Sequence, residues 1–313
     1  MVEIRDLDGP NLFRMEPVIK LELAFNERDD RAETLDAIAD RIGALHRELG
    51  LPAPEVTRHR VDAPDRSVLA FNWEWRATAV GIARAAADLA SWPVDDVVLG
   101  HLRERLARDR AEGDRPRWIR DDERTKPAVG ITGTNGKTTT TRLLAHIVAR
   151  SGKRVGWSSS TGVYIAGRQV LEGDYSGPSG ARRVLDDPVV EVAILETARG
   201  GLLLRGMACE SNDVGVFLNI SADHLSMHGV ETMETLAEVK SVVVRATRPD
   251  GLVVLNADDP LVASYRDRVR APVMFFSQRP GDAILLRHIE SGGAALICEG
   301  DCLQLYRDGD STP

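Results

Sequence analysis

The chain has 313 residues, 43% of them hydrophobic and 28% charged, the balance of a globular protein with its own core. At about 150 residues per domain that length implies two domains. Lys and Arg number 40 against 48 Asp and Glu, a net charge of −8, which argues against a protein built to coat nucleic acid. No apolar run reaches the length of a membrane span, and the opening Met1-Val2-Glu3-Ile4-Arg5-Asp6 lacks the basic and apolar regions of a secretory signal. Cys209, Cys298 and Cys302 do not form a disulfide framework. A cytoplasmic protein with neither nucleic-acid nor membrane partners is expected.

Asp8-Gly9-Pro10-Asn11 is a turn signal, and the alternation Val18-Ile19-Lys20-Leu21-Glu22-Leu23 predicts a strand with one buried face. Leu35, Ile38, Ile42, Leu45 and Leu49 recur at steps of three and four, predicting a helix over 30–49 that Gly50 and Pro52 stop. A second strand (67–73) and a second helix (77–91) complete a small α/β unit over 1–100. From 101 to 126 eight arginines alternate with acids while apolar residues thin out, which reads as a solvated helix running into a charged linker at the domain boundary.

After Lys126 the pattern becomes regular. Short apolar runs at 128–132, 154–158, 192–195, 214–220 and 252–255 alternate with helical stretches, notably 137–151 and 233–247. This implies βαβ units, a mostly parallel doubly wound sheet over 127–272, and functional residues just beyond the carboxyl ends of the strands. Gly133-Thr134-Asn135-Gly136-Lys137-Thr138-Thr139 falls in such a place. Its glycines let backbone N–H groups approach phosphate oxygens, the following helix adds its positive end, Lys137 supplies a point charge, and the Thr138 hydroxyl can reach Mg²⁺. Position 131 is Ile where the general G-x-x-x-x-G-K-[ST] pattern has Gly. ATP or another nucleoside triphosphate is the expected ligand.

The longer string from Gly130 to Thr140 resembles the phosphate loop of the Mur ligase family, ATP-dependent amide-forming ligases in which Ile at 131 is no anomaly. Ile194-Leu195-Glu196-Thr197-Ala198-Arg199-Gly200-Gly201 is similar to the cyanophycin-synthetase version of a strand delivering a Mg²⁺-binding glutamate. Asn219-Ile220-Ser221-Ala222-Asp223-His224-Leu225 resembles the family's N-x-x-x-D-H motif, and Leu255-Asn256-Ala257-Asp258-Asp259-Pro260 its N-x-D-D segment. Gly173-Asp174-Tyr175-Ser176-Gly177-Pro178, the opening Ile4 to Leu12 and the tail from Val273 to Tyr306 are also similar to cyanophycin synthetases. Two departures stand out: only the Arg-rich linker occupies the place of their ATP-grasp domain, and the chain ends at Pro313, where a C-terminal domain is expected to begin. Residues 273–313 are therefore expected to lead toward a missing C-terminal domain: either the sequence is a fragment, or the domain comes from a separate chain or by self-association.

The resemblance implies an α/β fold whose second domain is a P-loop Mur-ligase central domain, and a two-step reaction. A carboxylate of an amino acid or peptide attacks ATP to give an acyl phosphate, and an amine then displaces phosphate. It implies Gly133, Thr134, Asn135, Gly136, Lys137, Thr138 and Thr139 on the nucleotide, with Asn256 and Asp258 at nucleotide or interdomain contacts. Mg²⁺ is implied at Thr138 and Glu196, a second Mg²⁺ at His224 and a carbamylated Lys240, and Lys137, Glu196, His224 and Lys240 carry the catalysis. Asp174, Ser176 and Arg199 are candidates for holding the carboxylate substrate, against plain turn chemistry. Two other readings remain open here: a nucleotide-binding module that is catalytically incomplete without a separate C-terminal domain, and a generic P-loop ATPase or GTPase, although no guanine-reading N-K-x-D string follows the loop. Neither the acid nor the amine is named by the sequence.

Overall fold

The computed structural model describes residues 2–26, 30–88, 95–222, 230–307 and 310–312. The N-terminal unit contains β1 (Val2–Leu7), β2 (Val18–Ala24), α1 (Arg31–Glu48), β3 (Thr57–Arg60), β4 (Arg66–Asn72), α2 (Arg76–Asp88) and α3 (Asp96–Glu112). Its four strands form an antiparallel sheet in the order β1-β2-β4-β3. Asp30 caps α1 by accepting from the Glu33 N–H, and Leu35, Ile38, Ile42 and Leu45 are buried along one face of that helix. They meet Ile19, Leu21, Leu69 and Phe71 from the sheet.

Two elements here differ from the sequence expectation. The strands β1 and β3 join the two foreseen. The helix expected at the start of the charged stretch 101–126 is present but seated, not solvated all round, because α3 buries Leu99, Leu102 and Leu106 in the N-terminal core. The Asp109 carboxylate of α3 also accepts from the Thr78 N–H and hydroxyl, both at 2.7 Å, tying it to the first turn of α2. Three leucines at steps of three and four suffice to seat a helix whose other faces are charged.

The second unit runs through β5 (Ala128–Thr132), α4 (Lys137–Arg150), β6 (Val155–Ser159), β7 (Gly162–Ile165), β8 (Arg168–Glu172), α5 (Pro178–Leu185), β9 (Val192–Glu196), α6 (Arg199–Leu204), β10 (Asn212–Phe217), α7 (Met233–Arg245), β11 (Thr247–Asn256), α8 (Pro260–Ala263), β12 (Val273–Ser277), α9 (Ala283–Glu290), β13 (Ala294–Glu299), β14 (Cys302–Arg307) and β15 (Asp310–Thr312). One 11-stranded sheet takes the order β15-β14-β13-β12-β11-β10-β5-β9-β6-β7-β8. The strands from β13 to β6 are parallel, and antiparallel pairs extend both edges. The tail from Val273 therefore continues this sheet, with β12 parallel to β11 and β13 parallel to β12, instead of leaving it.

From β5 the chain passes through α4 to β6 on one side, while β10 lies on the other, so the crevice at the carboxyl end of β5 is a topological switch point. Ile131 is fully buried in β5, which explains why the loop proper starts at Gly133.

The N-terminal unit docks on the second through backbone pairing. The Asp8 N–H donates to Arg205 O at 2.9 Å, Met207 N–H to Pro10 O at 2.8 Å, and Ile119 N–H to Ala208 O at 2.8 Å. A further contact joins Asp62 to the start of α7. Its carboxylate accepts from Glu231 N–H (2.7 Å), Thr232 N–H (3.1 Å) and the Thr235 hydroxyl (2.7 Å). Burial opposes the Asp62 charge, but these donors hold its carboxyl below the usual range. No helix among the described residues is long and apolar enough to cross a membrane.

Candidate functional site

The loop 133–136 leaves β5 with Gly133 at φ 150°, where a Cβ would come within 2.9 Å of Leu218 Cβ, so only glycine fits. Asn219, just beyond β10, clamps the loop from the neighbouring strand. Its Oδ1 accepts from Asn135 N–H at 2.8 Å, its Nδ2 donates to Asn135 O at 3.1 Å, and its carbonyl accepts from Thr134 N–H at 2.9 Å. Ser221 adds an acceptor for Asn135 Nδ2 and a backbone N–H that donates to Thr134 Oγ1. Lys137 Nζ folds back to donate to Thr134 O at 2.8 Å. Gly136 caps α4 without a side chain, and Thr138 and Thr139 open that helix.

Glu196 ends β9 next to the loop and is 2% exposed. The Thr138 hydroxyl donates to its Oε2 at 2.8 Å and lies 3.1 Å from Ser160 Oγ, while Ser160 N–H donates to the same Oε2 at 3.3 Å. Among the described residues Glu196 makes no ion pair, with Arg199 or any other cation, within 4.0 Å. A buried carboxylate held by a hydroxyl and an amide, with no cation on it, is a hard oxygen set suited to Mg²⁺.

Lys240, on α7, is 4% exposed and donates to Gly133 O at 2.7 Å. Burial first, then the charges of Lys137 and Arg199, push its pKa down to about 7 against the opposing pull of Glu196. The loop, β9 and α7 thus bring Lys137, Thr138, Glu196, Arg199 and Lys240 into one electrostatic neighbourhood. Burial also lowers Arg199. Asp223 and His224 lie outside the described residues.

Other sequence candidates serve their own loops. Asn256 Nδ2 donates to Leu218 O at 2.9 Å, and its Oδ1 accepts from Asp258 N–H at 2.9 Å. Asp258 accepts from the Ser277 hydroxyl (2.5 Å) and Gln278 N–H (2.8 Å), so both residues brace strand ends around the crevice. Asp174 accepts from the N–H and hydroxyl of Ser176, an Asx turn, and both residues also line a cleft between the two units. Sequence reasoning missed Ser160 and did not put Asn219 among the site residues. Ser160 sits in an unremarkable turn after β6, and only the sheet order brings it to Glu196.

Residues 131–294, more than half of the chain, match the Mur ligase middle domain. Cyanophycin synthetase of Synechocystis sp. is 51% identical over 173 residues, which are 55% of this chain and 20% of that protein. The UDP-N-acetylmuramoylalanine–D-glutamate ligase of Pelotomaculum thermopropionicum is 40% identical over 156 residues, 49% of this chain and 30% of that protein. A solved UDP-N-acetylmuramoyl-L-alanyl-D-glutamate–2,6-diaminopimelate ligase superposes with a TM-score of 0.46 at 20% identity, covering 75% of this chain and 50% of that one. The chain spans only a fifth to a third of the curated relatives' length, yet the matched stretch contains the glycine-rich loop from Ile131 onward, Glu196 and Lys240. Through that middle domain the chain belongs to the Mur ligase family.

Proposed function

We propose that the chain is an ATP-dependent carboxylate–amine ligase, cytoplasmic, acting on an amino acid or peptide. The observation that carries this reading is the Thr138–Glu196 pair, 2.8 Å apart at the mouth of a glycine-rich loop, with Lys240 buried beside it. Backbone N–H groups of 133–139 bind the phosphates, and Lys137 releases Thr134 O to pair with the β/γ-phosphates. Thr138 and Glu196 hold Mg²⁺, which when bound neutralises charge on the transferred phosphoryl oxygens. The carboxylate of the acid, steered by Arg199, attacks the γ-phosphorus. The P–O bond to ADP breaks; the amine then attacks the acyl carbon of the acyl phosphate, the C–N bond forms as the C–O bond to phosphate breaks, and inorganic phosphate leaves with a proton lost from the nitrogen to solvent.

Lys240 fits the role of a carbamylated lysine. Its amine is buried, about half neutral at pH 7, and faces Lys137 and Arg199, two cations that favour an anion in its place. With His224 it would hold a second Mg²⁺. Asn256 and Asp258 act on the nucleotide through the strand ends they brace. The share of the relatives' length that the chain spans also favours a second reading, in which this stretch binds nucleotide but needs a separate C-terminal domain for turnover.

The test is ADP release by the purified chain with ATP, Mg²⁺, bicarbonate and pools of amino acids and short peptides, beside Lys137→Ala. Acid-stimulated release that the variant loses supports the ligase. Nucleotide binding without release selects the second reading, and no nucleotide binding refutes both.

A further inference from the structure

A cavity of about 240 Å³ lies inside the N-terminal unit, where the end of α1 meets the first turns of α2. None of its lining residues belongs to the second unit. Its walls are largely apolar and fixed in place. Trp73 is buried, donates through Nε1 to Leu7 O at 3.1 Å, and carries the Arg76 guanidinium 4.8 Å from its ring centre. Trp75 is likewise covered by the Arg115 guanidinium, 4.6 Å from its ring centre. Pro52 and Pro54 add two lining residues whose backbone is fixed by their own rings. Walls ordered before a ligand arrives lose little freedom when it binds.

The charge at this cavity is already paired. Glu74, the carboxylate of the lining, pairs with Arg115 at 2.9 Å, and the Thr78 hydroxyl is donated to Asp109. Two other polar groups of the lining are not engaged. His46, 6% exposed, turns Nδ1 to Ile42 O at 2.7 Å. A carbonyl oxygen only accepts, so Nδ1 carries the proton, and burial lowers the pKa of the ring and favours its neutral form. Nε2 is then a bare acceptor, and no described residue donates to it. The Asn72 carboxamide also makes no hydrogen bond to a described residue.

A buried acceptor among tryptophans and prolines calls for an N–H or O–H on an otherwise apolar, uncharged body, because a donor left unpaired there is costly. A cavity of about 150 Å³ takes benzene, so this larger one has room for a second fused ring. We propose that it binds an uncharged bicyclic heteroaromatic of the indole class, with the ring N–H donated to His46 Nε2 and the rings among Trp73, Trp75 and the two prolines. The site is separate from the nucleotide loop and stands whether or not the chain is a ligase.

The experiment is calorimetric titration of the whole chain at pH 7.5 with indole and with 1-methylindole, which has the same rings and no N–H donor. Indole should bind saturably and at least about fivefold more tightly than 1-methylindole, the scale of one net hydrogen bond. His46→Phe should remove that preference while 1-methylindole still binds. Ala53→Trp, at an exposed position of the lining, should weaken both ligands at least about tenfold without entering the core, which keeps the test intact if His46→Phe fails to fold. The proposal is overturned by no saturable binding of indole, by equal binding of the two ligands to the native chain, or by indole binding that Ala53→Trp leaves unchanged.

Discussion

Lys240 offers a quantitative test of the site. Carbamate formation requires the free amine, and at pH 7.5 an ordinary lysine is neutral in roughly one molecule in 800. With its pKa pushed down to about 7, Lys240 is neutral in about three molecules in four, a gain of several hundredfold in the reactive form. Carbamylation also reverses the local electrostatics, because repulsion from Lys137 and Arg199 becomes attraction. The carbamate nitrogen keeps one N–H with which to hold Gly133 O. In metal-free buffer with ¹³C-bicarbonate, the chain should give a carbamate carbon resonance at pH 8 that fades as pH falls through about 7, and Lys240→Arg should remove it. The lowered pKa carries a matching stability effect. Without bicarbonate the unfolded chain binds one more proton than the folded chain between about 7 and about 10, so stability should rise with pH there by up to about 1.4 kcal/mol per unit. Lys240→Met should flatten that rise. A carbamate resonance that survives Lys240→Arg, or an onset only near the pKa of an ordinary lysine, would refute the reasoning.

Other perturbations probe the remaining parts. Glu196→Gln keeps an acceptor for Thr138 but loses the charge; ADP release should fall at least about a hundredfold, while thermal unfolding shows little loss of stability, since a buried carboxylate with no ion pair among the described residues is replaced by a neutral isostere. Gly133→Ala forces a side chain into the left-handed region against Leu218; urea unfolding should show a loss of about 1–3 kcal/mol, with weaker ADP binding. Asp62→Ala removes the acceptor of the Glu231 and Thr232 N–H groups just ahead of α7, whose own cap is Thr232, and should cost about 1 kcal/mol at pH 7, modest because the site is exposed. Its folded carboxyl sits below the unfolded value, so that contribution is present above about pH 4 and lost on further acidification; native and variant unfolding curves should draw together as pH falls through the folded value.

The parts of the site legible in the sequence are those fixed by chain order. The loop 133–139 and Glu196 each follow a short apolar run, and a parallel sheet puts such positions at one edge, so strand identity alone predicts their meeting. Lys240 had only a motif spacing to mark it; its burial against Gly133 O depends on how α7 packs across β5 and β10. Ser160 and the clamp by Asn219 were hidden for a related reason, because their partners lie on strands distant in sequence. Misreadings elsewhere have equally local causes. Around Leu99, Leu102 and Leu106 the arginines dominate the composition and mask a seated helix. In the tail, β12 and β13 extend the parallel sheet and the β13–β14 hairpin turns back along its edge, none of which a family boundary reveals. Asn256 and Asp258 carry the motif, and only the fold shows that their side chains brace Leu218, Ser277 and Gln278 at the strand ends around the crevice.

The N-terminal unit touches the second unit at places that matter for the chemistry. Its Asp8–Pro10 turn pairs with Arg205 and Met207, at the far end of the short helix that starts with Arg199, three residues past Glu196. Its Asp62 grips the first turn of α7, the helix carrying Lys240. A helix transmits position along its axis at about 1.5 Å per residue with little bending, so fixing Thr232 fixes Lys240 about 12 Å further on. The same small unit therefore braces both the segment after Glu196 and the helix bearing Lys240, and sets their separation without touching the loop between them. The cleft it encloses with α5 and α6 is then bounded by the same contacts that hold the site together. A change in how the unit docks would shift the segment after Glu196 and the helix bearing Lys240 at once.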